Sequence, residues 1–285
     1  MRSNAVAEVD EGRPTATADG SRVPSWARTV GLQLTVLVLL LGMWEALTAS
    51  GLIADYLLPR ASDVLIVLRQ NILEIIAGGR MRGHFVTTLI EIVLGFFGSV
   101  VIGVAIGAVL SELKLVQRAL LPYVVAANAT PRIAFAPLFV IWFGFGNLSK
   151  IVMAIAIAAF PVIINTMAGL AATDRDALRL MRSLGATRTQ ILWRLRVPTA
   201  LPYLFAGFET AILFSAVGAV IGEFMGGDQG LGYVTLLAQE LFRLDDAFAA
   251  IVLLSIQGFV LHRLVVIVRR KVVFWQVEQD ARTAK

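Results

Sequence analysis

Six stretches of roughly twenty apolar residues, at 30–47, 86–110, 119–143, 151–171, 201–224 and 247–268, constrain this chain more than any motif in it. A helix needs about 20 such residues to cross the ~30 Å hydrocarbon core of a bilayer. Inside that core the backbone must satisfy its polar groups within its own segment. Apolar residues make up 58% of the 285 and charged residues only 16%, where a soluble domain carries about 25% charged. The chain is therefore expected to be all-α, a polytopic membrane protein of about six transmembrane helices with both termini on one side.

The basic residues set that side. Four lie before the first stretch, two at Lys114 and Arg118, six between 174 and 198, and six from Arg263 onward, together 18 of the 25 Lys and Arg. Positive charge accumulates in cytoplasmic loops. The 174–198 segment and both termini are thus expected in the cytoplasm, with Arg60, Arg69, Arg80, Arg82, Lys150 and Arg243 on the opposite side. The same rule accounts for the net charge of +5. No nucleic-acid motif accompanies that charge, so nucleic acid is excluded as a partner. Residues 1–25 lack a core-forming pattern and are expected to be a disordered cytoplasmic tail. They also lack an apolar h-region and cleavage site, which would leave the first stretch as an uncleaved anchor. There is no cysteine, which removes disulfides, thiolate metal sites and a cysteine nucleophile. His84 and His262 show no ligand spacing. Neither a metal nor a cofactor is expected.

Between the fourth and fifth stretches lies the polar segment DRDALRLMRSLGATRTQILWRLRVP, 174–198. Asp174 reads as an N-cap, Gly185 as a left-handed C′ residue, and Thr187 with Gln190 as a capping box. These signals predict two short helices meeting at Gly185. Pro198 lacks an N–H and is expected to push the chain out of the second helix. On the first helix Ala177, Met181 and Leu184 share one face, with Arg175, Arg179 and Arg182 outside it. A basic amphipathic elbow of this kind either enters an apolar groove on a partner or lies on anionic membrane lipid.

The elbow resembles the cytoplasmic EAA loop of ABC importer permeases, whose pattern is Glu-Ala-Ala, three residues, Gly, nine residues, then Ile-x-Leu-Pro. Gly185 and Pro198 stand at the glycine and the proline, Leu195 and Val197 replace Ile and Leu, and Arg179, Leu180 and Met181 occupy the triplet. Further likeness runs through ANATPRIAFAPLFVIWFGFGNLSK (127–150), LPYLFAGFETA (201–211) and AVIGEFMGGDQGLGY (219–233). Over residues 84–275 the chain looks like the nitrate, sulfonate, taurine and pyrimidine-precursor branch of that family, leaning toward pyrimidine precursors.

The resemblance implies a permease subunit of the bacterial plasma (inner) membrane. It would pair with a second permease copy as a homodimer and take a small anionic or heterocyclic nutrient from an extracytoplasmic solute-binding protein. The elbow would couple it to a separate cytoplasmic ABC ATPase through Ala177, Met181, Arg182, Leu184, Gly185, Ala186 and Pro198. The chain would divide into the 1–25 tail, a first helix with an extracytoplasmic interfacial segment (26–83), the permease core (84–275) and a cytoplasmic tail (276–285). It is not expected to be an enzyme. It holds no Gly-x-x-x-x-Gly-Lys-Ser/Thr phosphate loop, so ATP must be hydrolysed by another polypeptide.

Candidates for the solute pathway are polar or kinked positions within the spans. Asn128, Pro131 and Pro137 fall in the third stretch and Pro161 and Asn165 in the fourth, where proline bends a helix and frees a carbonyl. Charged residues at membrane depth default to function. They are Glu45, Glu91, Glu209 and Glu223, of which Glu209 and Glu223 join the pathway candidates. Gly95, Ser99, Gly103 and Gly107 recur every four residues and predict a close packing face within the subunit. The loop 226–232 reads as an extracytoplasmic turn, with contact to the binding protein as its functional alternative. Near residue 60 an amphipathic helix is expected, capped by Ser62 or Asp63. A secondary transporter, the main alternative, would show inverted repeats with paired midplane charges, and none is evident. A membrane enzyme would need convergent catalytic groups, and the glutamates are scattered.

Overall fold

The Gly95-Ser99-Gly103-Gly107 stripe sets the register of the bundle. It lies along one face of a 33-residue helix, Arg80–Glu112, and all four residues are buried. A Cβ built on Gly95 would fall 2.4 Å from Ala154, one on Gly103 2.6 Å from Val162, and one on Gly107 2.6 Å from Thr166. Without an apolar driving force between helices in lipid, such close approach supplies the van der Waals contact that holds them. The partner residues advance in step with the stripe, so the two helices run parallel. The packing is internal to the subunit.

The structure is a computed structural model describing residues 25–51, 53, 57–113, 115, 117–119, 122–123, 126 and 130–275. In chain order its helices are α1 (Ser25–Ala49), α2 (Ala61–Ala77), α3 (Arg80–Glu112), a 3₁₀ turn (Arg132–Phe135), α4 (Ala136–Phe143), α5 (Asn147–Ala171), α6 (Arg175–Ser183), α7 (Arg188–Ile191), a wider π-type turn (Leu192–Arg196), α8 (Val197–Gly226), α9 (Leu231–Glu240) and α10 (Leu244–Val272). Among the described residues five helical stretches are long and apolar enough to cross a membrane: Thr29–Ala49, Arg80–Glu112, Asn147–Ala171, Arg188–Gly226 and Leu244–Val272.

The expected third span differs. Its described part holds helical positions at 119, 122–123 and 126, then the 3₁₀ turn and the eight-residue α4. Pro131 precedes the turn, where its missing N–H and the restriction it places on its neighbour stop an α-helix. Pro137 does not interrupt a helix: it sits in the first turn of α4, where its lost donor has no intrahelical partner in any case. The chain still returns here. Because α3 and α5 point the same way, residues 113–146 must lead back from the end of one to the start of the other.

Helix α5 is the centre. One face meets α3; another meets α8 antiparallel, with Gly218 against Ala154, Gly222 against Lys150 and Gly207 against Asn165. Ala154, Ala158 and Val162 are fully buried. By contrast α1 stands off the bundle with Leu32, Val38 and Leu39 exposed, a surface that lipid covers in a bilayer. It is tied on at one end, where Trp44 Nε1 donates to Pro59 O at 3.0 Å. There Ser62 N donates to Glu45 Oε2 at 3.0 Å and Ser62 Oγ to Glu45 Oε1 at 2.9 Å. This corrects the expected cap of α2. Its N-cap is Arg60, without a side-chain bond, and the carboxylate that serves its free N–H groups comes from α1. Glu45 therefore has a helix-capping partner of the kind an anionic side chain favours at an N-terminus.

Candidate functional site

The elbow forms as its end signals dictate. Asp174 Oδ1 accepts from Asp176 N at 2.9 Å and opens α6. At the other end Gly185 N donates to Arg182 O and Ala186 N to Met181 O, both at 3.0 Å, the paired bonds of a Schellman stop. Gly185 has φ +76° and, among the described residues, no atom within 4 Å of a Cβ built on it. The glycine is thus demanded by its backbone angle, which costs other L-residues about 1–2 kcal/mol, and not by crowding within the chain. Thr187 and Gln190 form the capping box of α7, with Thr187 N donating to Gln190 Oε1 at 2.8 Å and Gln190 N to Thr187 Oγ1 at 3.3 Å.

Pro198 does not end that helix. The Pro198 nitrogen cannot serve the Arg194 carbonyl, and the chain answers by widening into the π-type turn 192–196 and continuing unbroken into α8. Pro198 falls in the first turn of α8, where it is tolerated. Ala177, Met181, Ala186 and Pro198 are half-buried, while Arg182, Leu184 and Gly185 are exposed. The apolar residues that project outward are Leu180, Leu184 and Trp193, exposed by 60%, 73% and 65%. Arg175, Arg179, Arg182, Arg188 and Arg194 are exposed with them.

At the opposite end of the bundle the loop 227–230 is bolted to a buried polar cluster. Glu91, Lys150 and Glu223 each have 0% exposure. The Lys150 ammonium lies 3.2 Å from Glu91 Oε1 and donates to Gln229 O at 3.3 Å, and the Glu91 and Glu223 carboxyl groups lie side by side. Glu223 accepts from Thr88 Oγ1 at 2.6 Å and from the Gly232 N–H. Thr88 Oγ1 in turn accepts from Leu231 N at 2.8 Å, and Gly230 N donates to His84 Nδ1 at 3.2 Å. Gly230 has φ +117°, and a Cβ there would fall 2.1 Å from Glu223 Oε1. Beside the cluster a cavity of about 650 Å³ opens between Phe145, Asn147, Phe224, Gly227, Asp228 and Gln229.

The expected pathway residues do not converge on one cavity. Glu209 in α8 pairs with Arg269 in α10 at 3.1 Å. Glu223 belongs to the buried cluster. Asn165 Nδ2 donates to Pro161 O of its own helix at 2.8 Å and packs on Gly207. Pro131 and Pro137 are exposed along the broken crossing, and Asn128 lies outside the described residues.

Residues 99–274 match the family described as "Binding-protein-dependent transport system inner membrane component". The chain belongs to that family of transport permeases. It is similar to the formylaminopyrimidine transport permease protein ThiX of Halalkalibacterium halodurans, 34% identical over 78% of this chain and 86% of that one. It resembles as closely the riboflavin transport system permease protein RibX of Chloroflexus aurantiacus, 34% identical over 87% and 90%. The taurine transport system permease protein TauC of Escherichia coli is 29% identical over 88% and 92%. Its fold is that of the permease chain in inward-facing structures of the MetNI methionine ABC transporter, with a TM-score of 0.59 at 21% identity, covering 67% of this chain and 94% of that one. The permease is thus an all-helical, multi-pass subunit of an ABC importer, a class in which ATP is hydrolysed on a separate polypeptide.

Two residues of this permease escape a reading of its sequence. Lys150, expected on the extracytoplasmic side, is fully buried as the counter-ion of Glu91. Arg132, near a span end in sequence, reaches the middle of α5 and donates to Ile157 O at 2.8 Å. The second carried a signal: Pro161 lies four residues after Ile157 and frees that carbonyl.

Proposed function

We propose that the permease works as a homodimer with two copies of a cytoplasmic ATPase seated on the elbow, and receives its solute at the opposite end from an extracytoplasmic binding protein. Both termini then lie in the cytoplasm with the elbow, and residues 1–25 and 276–285 serve as cytoplasmic tails of the 84–275 core. The observation that carries this reading is the elbow itself. It comprises two capped helices fixed at Gly185 that project Leu180, Leu184 and Trp193 amid five exposed arginines, and an apolar patch ringed by cations suits a groove with an acidic rim. Ala177, Met181, Arg182, Leu184, Gly185, Ala186 and Pro198 are the proposed coupling residues. ATP-driven displacement of the elbow rocks the spans so that the route along the broken third crossing, from Asn128 through Pro131 and Pro137, opens to alternate sides. The solute is a small heterocyclic or anionic nutrient, of the class named in the formylaminopyrimidine, riboflavin and taurine permeases it resembles.

Purification of the C-terminally tagged chain from its native membranes tests this. A stoichiometric ATPase that is lost on Gly185→Trp, at equal membrane abundance, supports the docking. A chain that purifies alone in every mild detergent overturns it and favours a secondary transporter.

A further inference from the structure

One guanidinium at the root of the elbow bridges two helices. The π-type turn that Pro198 induces ends at Arg196, whose side chain is 18% exposed and lies against the bundle. Its Nη1 pairs with the carboxylate of Glu112, and its Nη2 lies 3.5 Å from Ser111 Oγ and 3.4 Å from Leu170 O. Ser111 and Glu112 are the last residues of α3, and Leu170 is the penultimate residue of α5.

Helix C-termini carry unsatisfied carbonyls and partial negative charge, and a basic residue in the last turn ordinarily answers both. Neither α3 nor α5 has one. Arg196 supplies it to both from a third element. A planar fork of five donors can serve a carboxylate and a carbonyl at once, which a lysine ammonium on a flexible stem does less well. The other elbow arginines are exposed and reach neither helix; Arg179, for one, pairs within α6 with Asp176 at 3.0 Å. Arg196 is therefore the charged link between the elbow and the two parallel helices at the core of the bundle.

We propose that Arg196 is a positioning residue of the transport cycle, through which displacement of the elbow is passed to α3 and α5. This rests on the reading that an ATPase docks on the elbow. Because the chain has no cysteine, a single thiol introduced as Asp228→Cys, exposed in the loop at the far end, gives a unique reporter. The complex of full chain and ATPase is reconstituted in liposomes, and labelling of that thiol by a membrane-impermeant maleimide is followed with and without Mg-ATP and vanadate.

In the Asp228→Cys parent, ATP-vanadate is expected to change the labelling rate by about fivefold or more, the usual lower size of coupling between distant sites. With Arg196→Gln the ATPase stays bound, because the Arg196 side chain faces α3 and α5, but the response collapses to less than about twofold on the same scale. Arg196→Lys restores part of it. A merely structural role would instead lower membrane abundance or ATPase retention and leave the response intact in the complexes that form. Should Arg196→Gln fail to accumulate, Glu112→Gln, at a half-exposed carboxylate, must weaken the response in the same direction. A full response in either variant overturns the proposal. Loss of the ATPase from the parent complex overturns the docking reading instead.

Discussion

Arg132 donates from Nη1 to the carbonyl oxygen of Ile157 at 2.8 Å, and so replaces the hydrogen bond that Pro161 withdraws from α5. Pro161 is inside a helix that otherwise runs unbroken from Asn147 to Ala171, and a proline there leaves the carbonyl four residues earlier without its donor. The guanidinium also lies 5.5 Å from the Phe160 ring centroid. The interrupted third crossing is thereby pinned to the kink of the central helix. Arg132→Ala is expected to destabilise the purified protein by about 1–3 kcal/mol, the cost of a buried carbonyl left unmade. Pro161→Ala restores the intrahelical donor. In that background Arg132→Ala should cost less, with a coupling on the order of 1 kcal/mol. Strict additivity of the two substitutions in thermal unfolding would show that the arginine does not serve the proline.

Among the described residues Lys150 is the only cation set against the adjoining carboxyls of Glu91 and Glu223, and all three are sealed from solvent. Removing one partner of a buried pair leaves charge without compensation and costs about 3–5 kcal/mol. Lys150→Met is thus expected to lose most of its membrane abundance. Glu91→Leu placed on top of it should recover a large part, since an apolar pair of similar volume removes the stranded carboxyl. Comparable abundance of the single variant and the wild type would mean that the cluster does not hold the loop end together.

The same cluster makes two glycines irreplaceable and leaves a third free. A Cβ at Gly230 meets Glu223 Oε1 at 2.1 Å with φ at +117°, and one at Gly232 meets Glu223 Oε2 at 2.6 Å, whereas Gly258 in α10 has nothing within 4 Å. Gly230→Ala is predicted to disrupt both the backbone and the carboxylate, and Gly232→Ala the carboxylate alone. Gly258→Ala should be neutral or stabilising by up to about 1 kcal/mol, as expected for alanine replacing a mid-helix glycine. Thermal midpoints ranked Gly258→Ala above Gly232→Ala above Gly230→Ala are the expected result. Any other order contradicts the cradle.

Local rules were legible in the chain. Asp174, Gly185, Thr187 and Gln190 sit where capping chemistry puts them, because each signal spans only a few residues and its partner is nearby in sequence. The four-residue spacing of Gly95 to Gly107 likewise declared a packing face. Long-range partners were not legible. Nothing near Lys150 announces Glu91, 59 positions earlier, and nothing near Glu45 announces that it serves Ser62 across a turn. Apolar periodicity fails here for a physical reason as well. Lipid and protein interior are equally apolar, so residues facing either look alike, and a stretch such as 119–143 reads as one span although Pro131 breaks it. Pro198 misled in the other direction, since a π-type turn absorbed the lost donor without ending the helix.

Gly185 offers the sharpest separation of two explanations for a glycine at an elbow. Its φ of +76° favours glycine on conformational grounds, and among the described residues no atom within 4 Å of a built Cβ excludes a side chain. The proposed ATPase docking would supply another reason, namely a backbone that must come close. The two reasons rank substitutions differently. If the backbone angle governs, asparagine, which tolerates the left-handed region, should outperform alanine, and β-branched valine should be worst. If a partner's approach governs, alanine should outperform asparagine and valine alike, because both are larger. The angle is expected to govern the stability of the isolated permease, with Gly185→Asn unfolding within about 1 kcal/mol of the parent. The approach is expected to govern ATPase retention, with Gly185→Asn releasing the ATPase and Gly185→Ala keeping more of it. Retention of the ATPase by Gly185→Asn at the parent level, measured by its yield with the tagged permease, would mean that the elbow docks through Leu180, Leu184 and Trp193 without its corner.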